Sequence, residues 1–159
     1  MRRQNQMKIT LDTNVVDKTE LIRRAEELGI DLIVTTVTET ELSNSDIGFN
    51  CTIGRTPETF VLGESRLGVG MLASDDERDT FEDTLNTISN GSFPPQGKRE
   101  NLSPGQKRQL QDAMVFATHF RERRDIFVTD DARGFINDGR RKYLEGKYNT
   151  KDNEIGRTL

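Results

Sequence analysis

The segment MKITLDTN, residues 7–14, decides the fold because it leads from a strand pattern directly into a carboxylate. Apolar and polar residues alternate over residues 7–11, which is the period of a half-buried strand. Residues 18–28 carry apolar side chains on one helical stripe, and Gly29 occupies the position after the helix end. The β-branched, apolar run at residues 30–35 is typical of a buried strand. Together these segments predict a compact βαβ unit with parallel strands.

Further along the chain, local signals predict a second set of elements. Capping-box patterns beginning at Ser74 and Ser103 predict two helices, the first ending at Gly91 and the second running to about Arg124. The run Ile126-Phe127-Val128-Thr129 then predicts another strand of the same sheet. We therefore expect an α/β fold, a three-layer α/β/α sandwich around a central parallel sheet of four to five strands.

The chain has the length of one domain, residues 1–159. Residues 1–6 are expected to be flexible, and the glycine-rich residues 44–73 to form an irregular, insert-like middle. Residues 137–159 form a variable, charged tail in which no final strand is evident and only Leu144 and nearby tyrosines suggest packing. No internal repeat or low-complexity tract interrupts this single domain.

Composition favours a cytoplasmic protein with no membrane partner. Hydrophobic residues make up 32% and charged residues 31% of the chain. No apolar run approaches the ~20 residues that cross a bilayer, and the N-terminus lacks a signal-peptide pattern. Cys51 is the single cysteine, which excludes an internal disulfide and a thiolate zinc cluster. The single histidine, His119, is expected at the surface or rim of its helix.

Four dispersed carboxylates, Asp12, Glu41, Asp112 and Asp131, each fall where a strand ends or beside a helix. Parallel strands open their carboxyl ends on one crevice, so we expect these side chains to gather there. Crowded carboxylates repel one another unless a divalent cation neutralises them, and hard oxygen ligands suit Mg²⁺ or Mn²⁺. Four such acids would equal the whole net charge of −4, so that charge does not exclude a nucleic-acid partner.

Each carboxylate also has a simpler interpretation. Glu41 could only complete a capping box with Thr38, and Asp12 could only cap the turn after its strand. Asp112 could be an ordinary exposed helical aspartate, and Asp131 could begin a turn. A metal site is favoured because it explains all four positions together.

In this order, LDTNV at 11–15, VTETEL at 37–42, DAMVFA at 112–117 and VTDD at 128–131 resemble the motifs of the PIN domain. That family is a small α/β fold of metal-dependent nucleases and includes the VapC-like toxins of toxin–antitoxin pairs. The resemblance covers residues 7–135, and the middle of that range matches only in length and helical character.

The resemblance implies an Mg²⁺- or Mn²⁺-dependent endoribonuclease that hydrolyses phosphodiester bonds of RNA with a metal-activated water. For a VapC-like toxin it also implies a protein antitoxin and a homodimer. The implied acidic quartet is Asp12, Glu41, Asp112 and Asp131, supported by Asn14 and Thr129. Glu39 is an alternative to Glu41, and Asp130 is an alternative to Asp131 or a fifth acid. A catalytically silent PIN-like RNA-binding or scaffold domain is the alternative function, and a phosphatase-like or receiver-like domain ranks below both.

Four cations near the second predicted helix are candidates for phosphate contacts: Lys98, Arg99, Lys107 and Arg108. Arg108 lies about one helical turn before Asp112 and shares its face. Such contacts give affinity and salt dependence without sequence choice. The basic cluster at residues 121–124 is expected to be a solvated helix end.

Overall fold

Five parallel strands form the central sheet of the computed structural model, which describes residues 6–16, 18–35, 53–57, 59–60, 71–148 and 154–156. The strands are β1 (Lys8–Leu11), β2 (Asp31–Thr35), β3 (Gly54–Thr56), β6 (Ile126–Val128) and β7 (Glu154–Gly156). Their spatial order is β3-β2-β1-β6-β7, and every neighbouring pair is parallel. A separate parallel pair joins β4 (Thr59–Phe60) to β5 (Met71–Leu72). The predicted α/β fold with a parallel sheet is confirmed.

Local sequence signals set the helix ends where they were expected. The described helices are α1 (Thr19–Glu27), α2 (Asp75–Ile88), α3 (Pro104–Arg121) and α4 (Arg140–Tyr148). Ser74 and Ser103 form complete capping boxes at the starts of α2 and α3. Gly29 follows α1 with φ 65°, a left-handed conformation that glycine adopts without a steric penalty. No helix in the described ranges is long and apolar enough to cross a membrane.

Helices cover both faces of the sheet because neighbouring strand residues point to opposite sides. Leu11 and Val128 pack with Ile22 of α1 in one apolar cluster. On the opposite face, Phe127 packs in a second cluster with apolar residues of α2, α3 and α4. This arrangement is compatible with the expected three-layer sandwich. Because β1 and β6 are central, their carboxyl ends lie between the two helical layers.

The tail contributes a docked helix that periodicity did not reveal. Leu144 is buried, while the hydroxyl groups of Tyr143 and Tyr148 bond to the Asp83 carboxylate of α2 at 2.9 and 2.5 Å. Lys147 Nζ lies 3.1 Å from the same carboxylate. Burial, followed by the Asp83 contact, raises the pKa of Tyr148. These contacts fasten α4 to α2, and β7 follows α4 in the chain.

Two edge strands lie where irregular structure was expected. β3 falls within residues 44–73, and β7 falls in the tail, where no final strand was evident. β3 has three residues, of which only Thr56 is buried, so no alternating pattern marks it. Short edge strands of this kind depend on a neighbouring strand for their backbone hydrogen bonds, and their own side chains carry little signal.

The expectation of a solvated basic cluster after α3 is wrong for two of its arginines. Arg124 is buried and donates to the Asp31 carboxylate at 2.9 Å, to the Asp31 carbonyl at 2.5 Å and to the Ile9 carbonyl at 3.1 Å. Arg121 is largely buried and donates to the Pro57 carbonyl at 2.5 Å. The planar, multiply donating guanidinium is suited to such bridging. Arg124 therefore ties the start of β1 to the start of β2.

We predict that Arg124→Ala lowers the free energy of unfolding by about 2–3 kcal/mol, because a charge-assisted hydrogen bond and two carbonyl bonds are lost together. Urea denaturation followed by circular dichroism measures this change. The matched control is Arg78→Ala, since Arg78 pairs with Asp75 on the exposed face of α2 and should change stability by less than about 0.5 kcal/mol. Equal effects of the two substitutions would contradict a bridging role for Arg124.

Candidate functional site

The pairing of β1 with β6 brings two polar residues side by side at the carboxyl edge of the sheet. Leu11 pairs with Val128 in the last register position, and the Asp12 amide donates to the Val128 carbonyl at 3.0 Å. Asp12 and Thr129 therefore leave the two strands as neighbours. This is the edge at which open parallel sheets place their ligands.

Asp12 is a buried carboxylate with organised hydrogen bonds. Its side chain accepts from the Thr129 hydroxyl at 2.7 Å and from Asn14 Nδ2 at 3.1 Å, both on Oδ2. Oδ1 accepts from the Thr13 amide at 2.8 Å, so Asp12 also caps the short 3-10 turn Thr13–Val15. Asp12 is only 2% exposed, and burial of a carboxylate is costly unless such bonds compensate it. The capping interpretation of Asp12 is confirmed, and it holds the carboxylate in a fixed orientation.

Asn14 links this carboxylate to the chain that leaves β6. Its side-chain nitrogen donates to Asp12 and lies 3.3 Å from Thr129 Oγ1. Its side-chain oxygen accepts from the Asp130 amide at 2.9 Å. Asn14 and Thr129 thus lie beside Asp12, as their supporting roles require. Their contribution to a metal site stays a prediction.

The adjacent acids Asp130 and Asp131 have different partners. Asp130 forms an ion pair with Lys18. Asp131 Oδ1 accepts from the Gly134 amide at 2.9 Å and caps the π-helical turn Ala132–Ile136. The turn interpretation of Asp131 is therefore confirmed. Asp130 and Asp131 directly follow Thr129, whose hydroxyl donates to the Asp12 carboxylate.

Lys18 also lies at this edge, a position that the sequence reasoning did not single out. It occupies the N-cap position of α1, and its amide donates to the Val15 carbonyl at 3.2 Å. Its ammonium contacts Asp130 at the same sheet edge as Asp12. A lysine six residues after Asp12, just before the helical stripe, was the available signal.

The expected surface position of His119 is wrong. His119 is 1% exposed, and its Nδ1 lies 2.9 Å from Thr10 Oγ1 of β1. Its ring packs 5.9 Å from Phe116 and 5.5 Å from Phe127, between centroids. Every residue from Ala113 to His119 is buried, so α3 has no exposed stripe in this part. The hydrogen bond to Thr10 is what permits a polar ring at a core position.

The contacts of α3 indicate the direction in which its N-terminal part runs. His119 contacts Thr10, whereas Phe116, one turn earlier, contacts Phe135, which follows the carboxyl end of β6. The N-terminal part of α3 therefore extends towards the candidate site. Asp112 is seven residues before His119, about 10.5 Å along the axis and on the same helix face. We infer that α3 carries the half-buried Asp112 towards the carboxyl edge.

The remaining acidic candidates, Glu41 and its alternative Glu39, lie outside the described residues, as does Thr38. Among the residues that are described, no group of three or more His, Cys, Asp or Glu side chains is placed to hold a metal ion. The described edge thus consists of the buried Asp12, its polar supports and two further acids with partners of their own.

Of the four proposed phosphate-binding cations, Arg99 has a structural role. Its guanidinium donates to both Glu82 oxygens at 2.9 and 2.7 Å and to the Pro94 carbonyl at 2.8 Å, and its side chain is 6% exposed. These bonds hold the loop after α2. Lys98, Lys107 and Arg108 are exposed, so they are accessible to a polyanion.

Comparison of the chain with protein-family models, with curated proteins and with solved structures found no match. The interpretation of the site therefore rests on its chemistry and geometry.

We predict that Gly134→Ala destabilises the protein by about 1 kcal/mol, the usual cost of losing a capping bond. A Cβ at position 134 would lie 2.3 Å from Asp131 Oδ2, so the Asp131 side chain would have to leave the turn. Equilibrium urea denaturation gives the change in unfolding free energy.

Gly146→Ala is the matched control, because a Cβ there meets no atom within 4 Å and the residue lies within α4. It should stabilise the protein by up to about 1 kcal/mol, owing to the higher helix propensity of alanine. If Gly134→Ala were equally stabilising, the Asp131 cap would not matter to the fold.

Proposed function

We propose that this protein is an Mg²⁺- or Mn²⁺-dependent endoribonuclease of PIN type. The observation that carries the proposal is the buried, oriented Asp12 carboxylate at the carboxyl end of the central strand. A carboxylate that serves only as a cap has no need of burial or of two further side-chain donors on one oxygen. The Asp12 carboxylate is 2% exposed and receives Thr129 and Asn14 on Oδ2.

The oxygen donors proposed for this edge are of the kind that a hard divalent cation prefers. Asp12, Asp112 and one of Asp130 or Asp131 would hold the ion, with Glu41 completing the set. Oxygen ligands of this type suit Mg²⁺ or Mn²⁺, and the single cysteine excludes a thiolate zinc cluster. When bound, such an ion lowers the pKa of a coordinated water and stabilises charge on the phosphate.

In this proposal, hydrogen-bonding side chains orient the acids, and exposed cations attract the substrate. Thr129 donates to Asp12 and also accepts from the Asp131 amide at 3.0 Å, so one hydroxyl sets the positions of both segments. Hydrogen-bonded supports of this kind hold a carboxylate in the orientation that catalysis needs. The exposed Lys98, Lys107 and Arg108 supply sequence-independent attraction for the phosphate backbone. An RNA substrate, a protein antitoxin and a homodimer are parts of the proposal.

We predict that Asp12→Asn and Asp112→Asn each lower RNA cleavage by at least about 100-fold, because loss of even a supporting group near a metal costs about 10–100-fold. Initial rates on a fluorescent single-stranded RNA in Mn²⁺ measure the effect. The matched control is Asp79→Asn on the exposed face of α2, which should keep the full rate. Unchanged turnover in both site variants, with folding verified by circular dichroism, would refute the nuclease.

Calorimetric titration with Mn²⁺ separates the nuclease from a silent RNA-binding or scaffold domain. The nuclease predicts a binding isotherm for the wild type that is weakened in Thr129→Val, because the hydroxyl that orients Asp12 is lost. In Asp12→Asn the isotherm should be lost. Absence of Mn²⁺ binding by the wild type at millimolar concentration, together with retained RNA binding, would favour the silent domain.

A further inference from the structure

The geometry points to Lys18 as a phosphate-binding residue of the candidate site. We infer that its ammonium pairs with Asp130 in the free protein. When the nucleic-acid substrate binds, the ammonium exchanges this partner for a phosphate group. The inference rests on the proposed nuclease function and names the cation that receives the phosphate next to the acids.

Lys18 is connected to the candidate site by a short series of contacts. Its ammonium pairs with Asp130, whose amide donates to Asn14, and Asn14 donates in turn to the Asp12 carboxylate. The Lys18 amide is bonded to Val15, in the turn that Asp12 caps. Lys18 is thereby held by its backbone amide and by its side-chain ammonium to segments that carry the acids.

The Lys18–Asp130 pair is well suited to exchange with an incoming anion. The two side chains are 36% and 34% exposed, so water and ligands reach both charges. Ion pairs this accessible contribute little to stability, because solvent screens them and the side chains lose entropy. A lysine ammonium has three donors on a flexible stem, so it can move from a carboxylate to a nearby phosphate.

An acidic edge needs a cation if a polyanion is to approach it. Asp12, Asp130 and Asp131 lie within one connected hydrogen-bond network, and together they repel phosphate. Arg99, the arginine expected to help, is bound to Glu82 and largely buried. Lys18 instead contacts the acidic edge directly, which makes it the better-placed phosphate contact of the two.

Binding of a fluorescent single-stranded RNA, measured by anisotropy in EDTA over a series of salt concentrations, tests the inference without requiring catalysis. Lys18→Met keeps the stem and removes the charge. It should weaken binding at low salt and reduce the slope of log affinity against log salt by about 0.7, the value for one phosphate contact to a single strand. Lys18→Arg should retain most of the binding.

Lys8→Met is the matched control, since Lys8 is exposed at the opposite end of β1, at the amino edge of the sheet. It removes the same charge and should leave the salt slope unchanged. Asp130→Asn provides a test in the other direction, because it removes the negative charge that pairs with the Lys18 ammonium while keeping the backbone bond to Asn14. In EDTA it should bind RNA more tightly than the wild type.

An unchanged salt slope in Lys18→Met, or equal loss in Lys8→Met, would overturn the role of Lys18. Weaker RNA binding by Asp130→Asn would also count against transfer from Asp130 to phosphate. Thermal denaturation of Lys18→Met should show a midpoint close to that of the wild type, and a large decrease would show that the lysine is structural. If the wild type binds RNA with this dependence on Lys18 but never cleaves it in Mn²⁺, the nuclease proposal fails and the phosphate contact stands.

Discussion

The hydrogen bond from Thr129 to Asp12 is the interaction on which the carboxyl edge depends. It joins the ends of two neighbouring central strands, with Thr129 Oγ1 2.7 Å from Asp12 Oδ2, and it helps to compensate the cost of burying the carboxylate. The same hydroxyl accepts from the Asp131 amide, and Asn14 spans from Asp12 to the Asp130 amide. Without the Thr129 hydroxyl, the buried carboxylate would lose its shortest described bond, and the Asp131 amide after β6 would lose its bond to Thr129. An unsatisfied buried charge is among the costliest defects a fold can carry.

The contacts that stabilise the fold and the residues of the proposed site lie at opposite edges of the sheet. At the amino edge, the buried Arg124 bonds Asp31 and the Ile9 carbonyl, and none of these groups faces the candidate site. At the carboxyl edge, the Lys18–Asp130 pair is accessible, as the proposed exchange with a phosphate requires. Between them, the bond between His119 and Thr10 holds α3 against β1. An accessible ion pair next to the acids is a suitable arrangement for the proposed binding of a polyanion.

Elements with strong local signals were predictable, and elements without them were not. The capping boxes at Ser74 and Ser103 involve residues three apart, so the sequence contains the whole interaction. β3 and β7 are three-residue strands whose existence depends on a distant partner strand. His119 was misplaced because a single histidine on a helix gives no indication of a hydroxyl on β1 that can satisfy it. At the candidate site, the sequence named Asp12, Asn14 and Thr129 together, whereas the contact of Lys18 with Asp130 was visible only in the structure.

The sequence by itself determined β1, α1, β2, α2, α3 and β6 in their order, the capping boxes of α2 and α3, and which acids follow a strand, because each depends on residues close along the chain. Only the tertiary structure decided that Asp12 is buried beside Thr129, from which it is separated by 117 positions. It also decided that Asp130 pairs with Lys18 across 112 positions, while Asp131 turns to Gly134. The physical reason is that parallel strands pair through the backbone, and their side chains alone do not show which strand ends will meet.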